Sequence, residues 1–229
     1  MKKLLALLTV VTVLAGCNKS HSAIYTGTEC GFIDNGVFTS DYQVKMTVVG
    51  NERKYDVTAP RRVLISYETQ PATADASGYD IDLLGLMDAV IREPSSAEAL
   101  DNQPAGAPVQ VSNAWFSGGY LNLLVTVEGK ADKAGDHQFS ARYTADENGL
   151  VIRFLHESGE TASLTADERI SMFLSIPLSE AVLSWEHACL AVGKKAAYPV
   201  SVTLQWTDYV LEGGPLNLYE KQGSYTPAS

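Results

Sequence analysis

Along the chain, Tyr42, Val44, Met46 and Val48 alternate with the polar Gln43, Lys45 and Thr47, a period of two that gives one apolar face and predicts a strand. Gly50-Asn51 then stands where a tight turn is wanted, and Lys54 to Thr58 is expected to return beside the first strand as a hairpin. Pro60 ends that return. Arg62 to Glu68 is a third strand, with Val63, Ile65 and Tyr67 on one side and Leu64 and Ser66 on the other. Beyond the small polar residues of 70–78, Tyr79 to Ile91 opens with a strand-like alternation. Its later part, Leu83 to Ile91, also fits a short helix, since periodicity does not separate the two over short apolar runs; strand is preferred.

Between Arg92 and Pro108 the pattern lapses. Pro94, Ser95, Ser96, Pro104, Gly106 and Pro108 punctuate a stretch with the single isolated Leu100, which is how an exposed connection between domains looks. The expected division is a first domain at 24–93, a linker at 94–108, a second domain at 109–222 and a C-terminal tail at 223–229. Strands resume with Val109 to Phe116, a turn at Ser117-Gly118-Gly119, and Tyr120 to Glu128, where Tyr120 and Asn122 alternate with Leu121 and Leu123. His137 to Thr144 and Leu150 to Glu157 flank a turn at Asp146-Glu147-Asn148-Gly149. Arg169 to Leu178 is a further strand, and Pro199 to Leu211 another, with Val200, Val202, Leu204 and Trp206 on one face. Ser179 to Val192 is the one expected helix, with Ser179 as N-cap, Glu180 in the first turn and Gly193 at the end. Many short strands separated by turns predict an all-β sandwich or barrel.

The N-terminus has a different pattern. Lys2 and Lys3, the apolar run Leu4 to Leu14 and the small Ala15 and Gly16 before Cys17 form the three parts of a secretory signal. Leu14-Ala15-Gly16-Cys17 is a lipobox, so residues 1–16 are expected to be cleaved as a signal peptide and Cys17 to carry the lipid, with 17–23 as a polar tether. The run is shorter than the roughly 20 residues of a spanning helix. Anchorage is therefore expected through lipid on Cys17, in the cell envelope and at the outer membrane, on a face the tether does not specify.

The formal charge is −10, and loss of Lys2 and Lys3 makes it more negative still. Such a chain repels phosphate backbones and has no basic cluster to offset this, which disfavours nucleic acid and favours a basic protein or peptide as partner. No nucleophile elbow, phosphate loop, dinucleotide fingerprint or His-Glu-x-x-His helix is present, so no catalytic residue is named and no cofactor is expected. Ser117 lies in a Ser-Gly-Gly sequence, which is first of all a turn. Cys30 and Cys189 fit either a disulfide in an oxidising envelope or two buried thiols. His137 and His156, with Asp136 and Glu157 beside them, would come nearly opposite across their hairpin and could hold zinc, but solvated strand-end residues are the preferred reading and no metal is expected. Asp132, Asp136, Asp146 and Glu147 lack the spacing of a calcium loop and read as solvated turns. Among the aromatics, Trp115, Tyr120 and Trp206 belong to strand faces, while Phe116 and Tyr209 are the better candidates for an exposed binding surface.

Ala114-Trp115-Phe116-Ser117-Gly118-Gly119-Tyr120-Leu121-Asn122-Leu123 resembles the opening of the second domain in the NigD-like lipoproteins of Gram-negative anaerobes. Gly149 to His156, Phe173 to Leu178 and Arg62 to Tyr67 resemble three other strands of that family, so that the resemblance runs from about Ile24 to about Tyr219. It implies an all-β protein, a small OB-like barrel at 24–93 followed by an antiparallel β-sandwich at 109–222. It also implies a lipid-anchored, non-catalytic binding protein associated with bacteriocin immunity. The alternative is a glycan-binding or assembly lipoprotein of the outer membrane that uses an aromatic face.

Overall fold

In a computed structural model, which describes residues 24–70, 78–101, 106–129, 137–158, 169–208 and 217–227, the first part of the chain is a barrel. It is built from β1 (Thr26–Asp34), β2 (Val37–Ser40), β3 (Lys45–Gly50), β4 (Arg61–Thr69) and β5 (Tyr79–Ile91). The strands lie in the order β3-β2-β1-β4-β5, and a parallel pairing of β3 with β5 closes the ring, the connectivity of an OB-fold. Ile33, Phe38, Met46, Val63, Ile65, Ile81 and Leu83 fill its interior.

The hairpin that starts the barrel is β1–β2, where Asp34 faces Val37 across Asn35-Gly36. Both turn residues have positive φ, 47° and 77°, which is what the two-residue turn of a right-twisted hairpin requires and what Asn-Gly supplies most readily. The expected hairpin around Gly50-Asn51 is not formed. Tyr42 and Gln43 turn the chain between β2 and β3, and Tyr42 is 74% exposed instead of lying on an apolar face. Residues 54–58 do not form a strand. Asn51 instead holds the loop through two bonds to the Tyr55 backbone, and Val57 and Thr58 offer their carbonyls to Gly36 and Asn35. Tyr79 to Ile91 is strand throughout.

Strand β5 is long because it serves two bodies. Its earlier residues pair with β3 and β4, while Ala89, Val90 and Ile91 pair in parallel with β11 (Arg169–Pro177). Beside β11 lie β8 (Tyr120–Glu128) and β7 (Gln110–Ser117), so one eight-stranded sheet runs from the barrel into the sandwich. The opposing sheet has the order β13 (Asn217–Tyr225), β12 (Val200–Asp208), β10 (Gly149–Ser158), β9 (His137–Asp146) and β6 (Pro94–Ser96). Leu121, Leu123, Val125, Ile152, Phe154, Leu174, Val202 and Leu204 form the second core between them.

The sandwich is mixed rather than antiparallel. β10 runs parallel to β12 because the chain leaves β10, crosses to β11 in the facing sheet and returns through a helix before β12 begins. The described residues of the expected linker at 94–108 are not simply exposed: Pro94 is buried, β6 pairs in parallel with β9, and the neighbouring Val109 amide bonds to the Thr207 carbonyl. Residues 223–225 belong to β13 and not to a tail, since Gly223 pairs with Val202 and Tyr225 is 7% exposed in the core.

The expected helix is α1 (Ser179–Ala191), which buries Ala181, Val182, Trp185 and Cys189 in the second core. Leu178, not Ser179, occupies the N-cap, with no side-chain cap, and its amide bonds to the Gly119 carbonyl. At the other end Gly193 has φ 72°, its amide bonds to Leu190 and that of Lys194 to Cys189. These are the two bonds of a Schellman stop.

Candidate functional site

A buried network of polar side chains lies where barrel and sandwich meet. The pleat of β4 that turns Val63 and Ile65 into the barrel turns Arg62 outward. Arg62 is nevertheless 2% exposed, because the sandwich covers that face. Its guanidinium donates two bonds of 2.7 Å to the Asp41 carboxylate in the β2–β3 turn. It donates further to Ser175 Oγ of β11 at 3.0 Å and Asn122 Oδ1 of β8 at 3.1 Å. Tyr120 lies beneath the guanidinium, 4.0 Å from ring centre to Cζ, a cation–π contact.

The β7–β8 hairpin approaches the same carboxylate. Ser117 faces Tyr120 across Gly118-Gly119, both with positive φ, and the Ser117 hydroxyl donates to Asp41 Oδ2 at 2.6 Å while accepting from Asn122 Nδ2 at 2.9 Å. A Cβ on Gly118 would collide with the Asp41 carboxylate, so the hairpin tip seats only because that residue is glycine. Cys30 of β1 completes the cluster, its thiol 3.1 Å from Asp41 Oδ2 and 3.2 Å from Ser117 Oγ.

A serine beside a carboxylate resembles part of a nucleophilic site, but the electrostatics run the other way. Burial raises the Asp41 pKa, yet the bonds from Arg62, Ser117 and Cys30 outweigh it and hold the carboxyl below its usual range, which makes it a poor base. Burial, with help from Asp41, pushes the Cys30 thiol up and away from the reactive thiolate. Ser117, Asn122, Ser175 and Arg62 are each 9% exposed or less. The cluster is a clasp between the two halves: its polar groups satisfy one another.

Cys30 and Cys189 are free thiols and do not form the disulfide left open by the sequence. Cys30 sits in the clasp, whereas Cys189 is on the inner face of α1 in the sandwich core, with the Glu147 carbonyl as its neighbour. The interiors are separate, so nothing brings the sulfurs together.

The histidines do meet. β9 and β10 pair with His156 opposite Phe139 and His137 opposite Ser158, an offset of two that sets the imidazoles diagonally on one face. His137 Nδ1 and His156 Nε2 are 2.9 Å apart, both rings are buried, and His156 Nδ1 lies 3.1 Å from the Pro108 carbonyl. A carbonyl only accepts, so Nδ1 of His156 carries the hydrogen and its Nε2 accepts from His137. Burial lowers the His156 pKa. This mutual bond occupies the nitrogens that would face an ion, and alternation sends Glu157 to the opposite face. Among the described residues no group of three or more His, Cys, Asp or Glu side chains could hold a metal. Asp146 closes its own turn by accepting from the Asn148 and Gly149 amides.

Phe116 is half-buried, its ring 5.7 Å from that of Tyr225 and close against Gly223, so it is part of the sandwich instead of a free aromatic face. Trp115 stacks on Phe173 at 6.0 Å, and Trp206 is 8% exposed. Cys17, Asp132, Asp136 and Tyr209 lie outside the described residues. No helix of the described residues is long and apolar enough to cross a membrane.

The fold defines a class: an OB-like barrel joined through a shared strand to a two-sheet sandwich. This is the NigD-like fold. A NigD-like immunity protein from Bacteroides caccae superposes with a TM-score of 0.61 at 16% identity, over 90% of this chain and 99% of that one. A protein of unknown function from Bacteroides vulgatus gives 0.59 at 13% identity over 90% and 92%. A candidate lipoprotein from Bacteroides fragilis gives 0.59 at 15% identity over 90% and 100%. No protein-family model and no curated protein matches the chain.

Proposed function

We propose that the protein is a lipid-anchored, non-catalytic binding protein of the cell envelope that captures a cationic bacteriocin before it reaches its target. The observation that carries this reading is the union, in one acidic chain, of a lipobox ending at Cys17 with the fold of a protein named for immunity. The name of the Bacteroides fragilis structure supports attachment through lipid. Non-catalytic binding is supported by the clasp, in which Ser117, Cys30 and Asp41 are consumed by structural bonds. A net charge of −10 steers a cationic peptide toward the protein, which makes capture faster and salt-sensitive.

The test is a pull-down. Full-length chain held in detergent is offered concentrated supernatant and envelope extract from a bacteriocin-producing strain at low and high salt, and bound material is identified by mass spectrometry. A small cationic peptide retained at low salt and lost at high salt is the expected result. Polysaccharide or an outer-membrane protein retained equally at both salt concentrations would overturn it in favour of an envelope glycan-binding or assembly role.

A further inference from the structure

The end of the barrel at which Tyr25 and Tyr79 stand exposed carries a buried carboxylate oxygen that accepts no hydrogen bond. On β1 the alternation that turns Ile33 inward also turns Glu29 and Gly27 inward, and Glu29 lies opposite Ile65 of the barrel core. The Tyr67 hydroxyl donates to Glu29 Oε1 at 3.0 Å. Its ring can reach there because it lies across Gly27, where any Cβ would meet it at 2.7 Å. Glu29 Oε2 is shut off from solvent and has no hydrogen-bond partner. Among the described residues, no Lys, Arg or His ion-pairs with Glu29.

A buried carboxylate oxygen without a donor is costly, and one placed in the mouth of a barrel calls for a donor from outside. The surroundings specify which kind. Tyr67 belongs to the barrel core, Tyr25 is 66% exposed and Tyr79 57% exposed. Tyr25 is fixed at the rim by reciprocal bonds with Thr69, from its amide to Oγ1 at 2.9 Å and from the Thr69 amide to its carbonyl at 2.8 Å. Tyr79 begins β5 opposite Met46 and is near enough to influence Tyr67 electrostatically. Glu68, Asp80 and Asp82 lie on outward positions at the same end, together with Lys45. Aromatic rings around a carboxylate favour an organic cation, and an oxygen that lacks a donor favours one that still carries N–H.

We propose that the barrel mouth binds a primary ammonium group on a long stem, the side chain of a lysine, with Glu29 as counter-ion and Tyr25, Tyr67 and Tyr79 as the aromatic wall. The long stem follows from depth: the Tyr67 hydroxyl that holds the Glu29 carboxylate lies over Gly27, two positions along the strand from the rim residue Tyr25, roughly 7 Å, about the length of a lysine side chain. This deepens the capture of a cationic peptide proposed above, and rests on it for the source of the lysine.

The experiment is a chemical-shift titration of full-length chain in detergent, with labelled tyrosine rings, against acetyl-lysine amide, its trimethyl-lysine counterpart and acetyl-norleucine amide. Acetyl-lysine amide is expected to shift a subset of tyrosines saturably, trimethyl-lysine to bind several-fold more weakly for lack of N–H, and norleucine to do nothing. Glu29→Gln keeps an acceptor for Tyr67 and removes the charge, and is expected to weaken lysine binding roughly tenfold or more with thermal stability unchanged or raised. Tyr79→Ala, at an exposed ring, should weaken it several-fold. Equal binding by the wild type and Glu29→Gln, or norleucine binding as well as lysine, overturns the site. If lysine binds nowhere while the pull-down still yields a cationic peptide, this site is wrong and the capture reading stands. If lysine binds at the mouth and no peptide is ever captured, the site stands and that reading fails.

Discussion

Arg62 illustrates what a sequence hides at the residue scale. Alternation places it correctly on the face opposite Val63 and Ile65, and places Asn122 opposite Leu121 and Leu123, and in an isolated sheet both would be wet. Their burial, at 2% and 0% exposure, comes from a second body laid over that face, and a one-strand pattern carries no trace of it. The histidine pair was nearer the surface of the sequence, since a turn at Asp146 to Gly149 fixes their approach; what the sequence left open was the offset of two and the bond to Pro108. That pair has a pH signature. Burial lowers the His156 pKa below the unfolded value, so the folded protein binds fewer protons than the unfolded chain. The stabilisation is full above the unfolded pKa, near 6.5, and is lost as pH falls from there through the folded value. Thermal melts between pH 8 and pH 5 should show Tm falling below about pH 6.5, with a flatter profile in His156→Gln; a wild-type profile flat over that range would refute the assignment.

At the scale of elements, turns were legible where the residue type left little choice and were missed where a more conspicuous pattern competed. Ser117-Gly118-Gly119 and Asp146 to Gly149 both turn the chain as expected. Asn35-Gly36 is the stronger hairpin signal, but the regular alternation of Tyr42 to Val48 masks it, although the first residues of that run are a turn. Helix α1 was placed almost to the residue through Gly193, but its start is held by a bond from Leu178 to the Gly119 carbonyl, a tertiary contact with no local signature. That contact ties the helix start to the β7–β8 turn, whose tip also presses on Asp41. Gly118→Ala therefore meets two costs, a positive φ of 57° and a collision with a buried carboxylate. Chemical denaturation should show a loss of about 2 kcal/mol or more. At Gly193, with φ 72° and open space around a Cβ, the same change should cost only about 1 kcal/mol.

For the whole molecule, composition marks a change between two parts of the chain and is silent on what joins them. A stretch punctuated by proline, serine and glycine suggested an exposed connection between domains. Instead β5 belongs to both bodies, and the Arg62–Asp41 clasp is assembled from both. Barrel and sandwich should thus unfold together. Guanidinium unfolding followed by tryptophan fluorescence, which reports on Trp115, Trp185 and Trp206 in the sandwich half, should coincide with far-ultraviolet dichroism, which reports on all strands. Asp41→Ala leaves the Arg62 guanidinium buried without its partner and should cost about 3–5 kcal/mol, separating the two transitions. Coincident curves in that variant, with little loss of stability, would mean that β5 alone couples the halves.

The clasp also bears on how the chain is made. Whether the chain emerges from a ribosome or from an export channel, the barrel comes first: its core runs from Ile33 to Leu83, all of it N-terminal to Ser117, Asn122 and Ser175. A nascent barrel can close around that core while Arg62 and Asp41 remain hydrated on its flank and the last residues of β5 wait without the neighbour that β11 will provide. The unfinished protein thus exposes a charged flank beside an open strand edge. The charge discourages the wrong strand from docking, and the arriving sandwich dries the flank only when it brings the matching hydroxyls and amide.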